Sequence, residues 1–295
     1  MDYLSKYGYT PDQENMNRNI GIIASNLEGS ASVQVYKDCF SMMDLTTLKT
    51  DDTPASVTKL AGKVNSFRDS YPDWPLPASV CVYPNFAAVL KDARKCDFNI
   101  TVVSACFPSS QSFLEVKLKE CALAVEHGAD EVDIVLALNA FLAGDHETAF
   151  NEIQQVRKCI DAVAAKQGRS VHLKVILETG LLKTPENIAN ASFLAMEAGA
   201  DFIKTSTGKV DVNATPAAAY IMCECISRYH AVTGRKIGFK PAGGISSAAD
   251  ALCYYRIVET VLGKEWLCKE LFRFGVSRVA NSLLSAVFEK SVNFF

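Results

Sequence analysis

Two lysines carry the chemistry most easily read from this chain. Lys204 lies in Phe202-Ile203-Lys204-Thr205-Ser206-Thr207-Gly208-Lys209 and Lys240 in Gly238-Phe239-Lys240-Pro241-Ala242-Gly243-Gly244; each follows a short apolar run and opens into small residues. A strand alternates its faces, so Phe202, Lys204 and Ser206 share one side, and Gly238 and Lys240 share one side of the other run. If both sides face a common interior on adjacent strands, the two ammonium groups approach closely. At ~5 Å and an effective dielectric of ~20 they repel by about 3 kcal/mol. That lowers one pKa by roughly two units, from ~10.4 toward ~8, so a usable neutral fraction exists near pH 7. A neutral lysine attacks a carbonyl and forms a Schiff base. Asp133, at inward parity in Glu131-Val132-Asp133-Ile134-Val135, balances the charge and can carry a proton. A single lysine near a strand end would more often face solvent; the pair with a strand carboxylate reverses that reading. The pattern does not rank Lys204 above Lys240.

A second group of residues reads as a phosphate cradle. Gly208-Lys209, Gly243-Gly244-Ile245-Ser246 and Gly275-Val276-Ser277-Arg278 follow the last three candidate strands. Glycines let an oxyanion approach backbone N–H groups, and a helix N-terminus adds partial positive charge. Tight strand-to-helix turns also favour glycine. Lys209 and Arg278 tip the reading toward phosphate.

These residues need elements to hold them. Candidate strands are Ser41–Leu45, Ala78–Tyr83, Asn99–Ala105, Glu131–Ala137, His172–Leu177, Asp201–Thr205, Lys236–Lys240 and Leu271–Phe274. Their starts recur at the ~30–40-residue spacing of a βα unit. Between them, Leu114, Leu118, Cys121, Ala122 and Val125 form one helical stripe, and Ala218, Ile221, Met222, Cys225, Ile226 and Tyr229 another. Thr53-Pro54, Thr184-Pro185 and Thr215-Pro216 read as an N-cap followed by proline in the first turn, and Gly128, Gly199, Gly234 and Gly263 as helix stops. Eight such units close a TM-type ring: an α/β fold, the TIM (β/α)8 barrel, with functional groups at the carboxyl ends of the strands. An open doubly wound sheet is the alternative, but no GxGxxG follows the first strand. Residues 1–40 read as an N-terminal helical extension covering one end of the barrel, and 41–295 as a single barrel catalytic domain.

Composition excludes other classes. The chain has 295 residues, 49% hydrophobic and 21% charged, with a net charge of −3. That balance gives no general attraction to nucleic acid or anionic membrane. The opening Met1–Thr10 lacks the apolar core of a secretory signal, and the longest apolar stretch, Ile134–Ala143, is too short to span a bilayer. The expected setting is cytoplasmic. Ten cysteines lie mostly inside apolar runs with no CxxC pair, so they read as reduced, largely buried thiols. The four histidines are scattered in sequence, which does not favour a histidine-rich metal site.

The runs FIKTSTGK (Phe202–Lys209), GFKPAGGI (Gly238–Ile245), MDLTTL (Met43–Leu48), EVDIV (Glu131–Val135) and VNATP (Val212–Pro216) resemble the deoxyribose-phosphate aldolase family, in matching order from about Met43 to Leu284. The resemblance implies reversible cleavage of 2-deoxy-D-ribose 5-phosphate to D-glyceraldehyde 3-phosphate and acetaldehyde, with no metal or cofactor. By position, it implies Lys204 as the Schiff-base lysine, Lys240 as the lysine that depresses its pKa, and Asp133 as a proton carrier acting through Lys240 and a water. It further implies that Asp44 and Thr207 bind substrate hydroxyls, and that Lys209, Gly243, Gly244, Gly275 and Ser277 hold the phosphate. Cys81 matches a site-proximal cysteine, though a buried structural thiol is the plainer reading. Two departures stand out. Ser246 occupies a position commonly Arg, and Arg278 one commonly small, so Arg278 is expected to replace the missing phosphate-binding arginine. The tail Asn293-Phe294-Phe295 lacks the terminal tyrosine that folds over the site in some members. The partner expected is a small phosphosugar, with no nucleic acid and no membrane; a homo-oligomer stays open. The alternatives are a Schiff-base or transaldolase-like enzyme for another phosphosugar, a non-catalytic phosphate-binding barrel, and a pyridoxal-phosphate enzyme, whose lysine also forms an imine.

Overall fold

The computed structural model describes residues 2–295. Eight parallel strands form one sheet: β1 (Met43–Thr46), β2 (Ser79–Val82), β3 (Asn99–Val103), β4 (Glu131–Val135), β5 (His172–Ile176), β6 (Phe202–Lys204), β7 (Gly238–Lys240) and β8 (Phe274–Val276). The strand order is β7-β6-β5-β4-β3-β2-β1-β8. Hydrogen bonds join the two ends. Phe239 N donates to Leu271 O at 2.9 Å, Arg273 N to Phe239 O at 3.0 Å and Gly275 N to Pro241 O at 2.9 Å. The expected TIM barrel is therefore present.

The eighth strand departs from expectation. It was anticipated at Leu271–Phe274 and lies at Phe274–Val276. The reason is a staggered handover between partners: Leu271–Arg273 pairs on the β7 side alone, whereas Phe274–Val276 pairs with β1 while Gly275 keeps its bond to Pro241 beyond β7. Gly275 and Val276 consequently belong to the strand rather than to the loop after it.

The helices begin and end where local chemistry dictates. Thr53, Thr184 and Thr215 each accept a backbone N–H with the side chain, capping helices Pro54–Asn65, Pro185–Glu197 and Pro216–Thr233. Gly234 (φ 73°) terminates the last of these in a left-handed conformation that other residues adopt at a cost. The stripe Ala218, Ile221, Met222, Cys225, Ile226 and Tyr229 is buried throughout. Each large apolar side chain so buried contributes about 1.5–3 kcal/mol, and this burial holds the strand ends that carry the site.

The leading segment forms helices Tyr3–Lys6, Gln13–Ser25 and Val33–Ser41. They pack along the outer layer, against helices Pro185–Glu197, Pro216–Thr233, Ala248–Leu262 and Val279–Phe288, instead of across an end of the barrel. Aromatic side chains anchor them there: Tyr7 stacks on Phe193 at 4.4 Å, and the Tyr9 hydroxyl donates to Glu224 at 2.7 Å. The last residues dock similarly. Phe294 and Phe295 lie 5.4 and 5.5 Å from the Phe67 ring, and both their N–H groups donate to Asn281 Oδ1. All ten thiols are free. Among the described residues, no helix is long and apolar enough to cross a membrane.

Candidate active site

Strand parity turns an unusual set of side chains into the barrel. Asp44 (β1), Glu131 and Asp133 (β4), Lys174 (β5), Lys204 (β6), Lys240 (β7) and Arg273, just before β8, are each at most 3% exposed. Lys204 stands opposite Lys240 in the β6–β7 register, and Asp133 opposite Lys174 in the β4–β5 register. Burying any one of these ions alone would be prohibitive, so each is paired.

The pairing is dense. Lys204 Nζ and Lys240 Nζ each donate to Asp133 Oδ2 at 2.8 Å. Lys240 Nζ also lies 2.5 Å from Asp44 Oδ2. Arg273 forks, with Nη1 donating to Asp44 Oδ1 at 2.6 Å and Nη2 to Glu131 Oε1 at 2.7 Å. Lys174 bridges Glu131 and Asp44, the latter at 3.0 Å. Gly275 makes room for this packing: a Cβ there would sit 2.7 Å from Ala242 Cβ and 3.1 Å from Lys240 Cε.

Four cations here face three carboxylates. With every group ionised, one positive charge is left over in a dry interior; a neutral Lys204 removes it. Burial lowers the Lys204 pKa and the Lys240 charge lowers it further, against the opposing pull of Asp133. Burial also disfavours charge on Lys240, but Asp133 and Asp44 outweigh it and raise that pKa. For Asp133, burial acts upward, and Lys174, Lys204 and Lys240 together hold the carboxyl well below its usual range. The two facing lysines are thus driven apart, one toward the amine and one toward the ammonium.

A cavity of about 350 Å³ opens above this cluster at the carboxyl ends of β1, β6, β7 and β8. Lys204 lines it, whereas Lys174 and Lys240 do not. The lining also contains Lys49, Lys209 and Arg278 and no carboxylate, so its charged side chains are all cationic. Thr207, Lys209, Gly243, Gly244, Gly275, Ser277 and Arg278, all anticipated at the site, share this wall. Gly243 and Gly244 both adopt φ of 76°, and neither amide donates to a backbone carbonyl. Successive left-handed glycines of this kind present N–H groups to an anion. A reciprocal clamp holds the loop in place: Ala242 N donates to Thr205 Oγ1 at 2.9 Å, and that hydroxyl donates to Ala242 O at 3.2 Å. Ser246 offers no amide, because its N–H is committed to Asp250 Oδ2. Arg278 is exposed at the N-cap of helix Val279–Phe288.

Asp44 lies beneath the cavity rather than on its wall. It was expected to bind substrate hydroxyls, but it is fully enclosed by Ser79, Lys174, Lys240 and Arg273 and does not line the cavity. Its inward position at the start of β1 puts it beneath the opening, where it serves as counter-charge to Lys240. Cys81 is likewise fully buried off the cavity wall, and burial pushes its thiol pKa up. The docked tail contributes nothing to the cavity wall.

Sequence reasoning missed several residues. Lys174 and Arg273 sit mid-run in apolar segments, and Glu131 shares the parity of Asp133; charged residues at inward strand positions were the available signal. Thr46, at the end of β1, and Thr47 and Lys49, in the loop after it, line the cavity. Glu178, discussed below, had no such signal.

Known proteins agree with this geometry. A family model described as DeoC/LacD family aldolase matches residues 39–255. The chain is 42% identical over 255 residues to human deoxyribose-phosphate aldolase, covering 82% of this chain and 77% of that one. It is 41% identical over 248 residues to the bovine deoxyribose-phosphate aldolase, covering 80% and 75%. Among solved structures, the tetrameric deoxyribose phosphate aldolase of Aeropyrum pernix shares the fold with a TM-score of 0.66 and 23% identity, covering 94% of this chain and 99% of that one. A match across most of the barrel, joined to that level of identity, means that this chain belongs to the DeoC/LacD family of aldolases.

Proposed function

We propose that this aldolase reversibly cleaves 2-deoxy-D-ribose 5-phosphate to D-glyceraldehyde 3-phosphate and acetaldehyde through a Schiff base on Lys204. One observation carries the choice of lysine: of the three lysines buried in the barrel interior, only Lys204 reaches the cation-lined cavity. The relatives named above supply the substrate class.

In this reading the neutral Lys204 amine adds to C1 of the open-chain sugar, and loss of water leaves an iminium. A base removes the C3 hydroxyl proton, the C2–C3 bond breaks, and its electron pair moves toward the iminium nitrogen to form an enamine. The departing fragment is glyceraldehyde 3-phosphate. Protonation of the enamine carbon and hydrolysis release acetaldehyde and restore the amine. Asp133 exchanges protons through Lys240 and a water; its Oδ1 makes no hydrogen bond and faces the Lys174 ammonium at 3.5 Å. Lys209, Gly243, Gly244, Gly275, Ser277 and Arg278 hold the phosphate, and Thr207 binds a sugar hydroxyl.

The test is product identity. The purified protein incubated with 2-deoxyribose 5-phosphate is expected to yield acetaldehyde and glyceraldehyde 3-phosphate in equal amounts, and to condense them in reverse. Activity only with dihydroxyacetone-type donors would assign it to another phosphosugar.

A further inference from the structure

Glu178 lies two residues beyond the end of β5, is 2% exposed and is not part of the lysine–carboxylate cluster. Its backbone is left-handed, φ 55° and ψ 59°. A non-glycine residue adopts that conformation only at a steric cost, and such positions concentrate at functional sites. Its two oxygens have separate partners. Oε1 accepts the Thr207 N–H at 3.1 Å, and Oε2 accepts the Thr207 hydroxyl at 2.5 Å. Thr207 Oγ1 in turn accepts the Lys209 N–H at 3.1 Å.

This chain of hydrogen bonds has a fixed direction. An ionised carboxylate only accepts, so the single Thr207 hydroxyl proton points at Glu178. One oxygen lone pair goes to Lys209, and the other remains free on a residue that lines the cavity. Burial raises the Glu178 pKa, and the two Thr207 hydrogen bonds and the nearby Lys204 charge oppose that rise without reversing it. Thr207 lies three residues beyond Lys204 and just before Gly208-Lys209, between the amine and the anion loop.

We infer that Glu178 is a positioning residue: by holding the Thr207 proton it presents the Thr207 oxygen as an acceptor for a hydroxyl of the sugar, between the Schiff-base carbon and the phosphate. The inference rests on the function proposed above. Glutamine at 178 cannot accept both Thr207 protons. Either the Thr207 N–H loses its acceptor, or the amide NH2 faces Oγ1 and the hydroxyl proton swings into the cavity, turning an acceptor into a donor.

The experiment measures steady-state cleavage of 2-deoxyribose 5-phosphate by wild type, Glu178→Gln, Thr207→Val and the double variant. Loss of one neutral hydrogen bond predicts a KM increase of about fivefold for each single variant, with kcat little changed. Because Glu178 acts through Thr207, the double variant should match Thr207→Val alone. Acetaldehyde has no hydroxyl, so the concentration that half-saturates borohydride trapping should not move in Glu178→Gln. An unchanged KM in Glu178→Gln, or a Glu178→Gln penalty added in full on top of Thr207→Val, overturns the inference. Should Glu178→Gln not fold, Thr207→Val carries the test, and an unchanged KM there overturns it equally. Failure of wild type to label at Lys204 would instead overturn the underlying reading of the site.

Discussion

Lys240→Met isolates the electrostatic argument, because it keeps most of the side-chain volume and deletes one charge. Both lysines bond the same Asp133 oxygen at 2.8 Å, so their nitrogens lie no further apart than twice that distance. At ~5 Å and an effective dielectric of ~20, removing the repulsion is worth about 3 kcal/mol, or roughly two units of Lys204 pKa. Asp133 Oδ2 is then left to Lys204, with Lys174 facing the other oxygen at 3.5 Å, which acts in the same direction. The sign follows directly. Reaction needs the neutral amine, a raised pKa lowers its fraction at any pH below that pKa, and alkali restores it. The assay is kcat/KM for 2-deoxyribose 5-phosphate across pH 6–10, alongside the rate of imine formation with acetaldehyde. Activity at pH 7 should fall about 100-fold from the charge effect, and the alkaline-rising limb should move up by roughly two units. Loss of the proton route through Lys240 lowers the plateau but does not move the limb. A variant equally impaired at every pH, with its limb unmoved, would refute the electrostatic role of Lys240.

Two further outcomes follow from the same geometry. Arg278→Ala should raise KM about tenfold for the phosphorylated sugar, as expected when one charge-assisted hydrogen bond is lost, while KM for unphosphorylated deoxyribose should change little; equal effects on both would remove Arg278 from the phosphate site. Arg273→Met leaves Glu131 and Asp44 short of a buried cation, which predicts a loss of about 3–5 kcal/mol in urea-induced unfolding; a loss under about 1 kcal/mol would mean that Lys174 and Lys240 suffice.

Much of this was legible from residue order because local rules decided it. The Thr-Pro caps and glycine stops held, since capping depends on a few neighbouring residues. Strand parity placed Lys204, Lys240 and Asp133 together, since alternation survives whatever the barrel's exact tilt. What failed depended on partners distant in sequence. β8 was misplaced because its segment hands over from β7 to β1, and nothing local marks that switch. Asp44 was named as a substrate ligand from the family resemblance, which carries a position over but not its depth along the barrel. Arg273 and Lys174 join the cluster from 142 and 43 residues away from Glu131, so their pairing has no local trace. The residue pattern left Lys204 and Lys240 unranked; the family resemblance ranked them, and the position of Lys204 on the cavity wall supports that order.

That ranking is the central claim, and reductive trapping tests it most directly. Wild-type protein is incubated with acetaldehyde or 2-deoxyribose 5-phosphate, reduced with borohydride, digested and mapped by mass spectrometry. The account predicts stoichiometric, irreversible labelling of the peptide carrying Lys204, and no labelling at the active site in Lys204→Met. Stoichiometric labelling on Lys240 in the wild type, or none on either lysine, would contradict it.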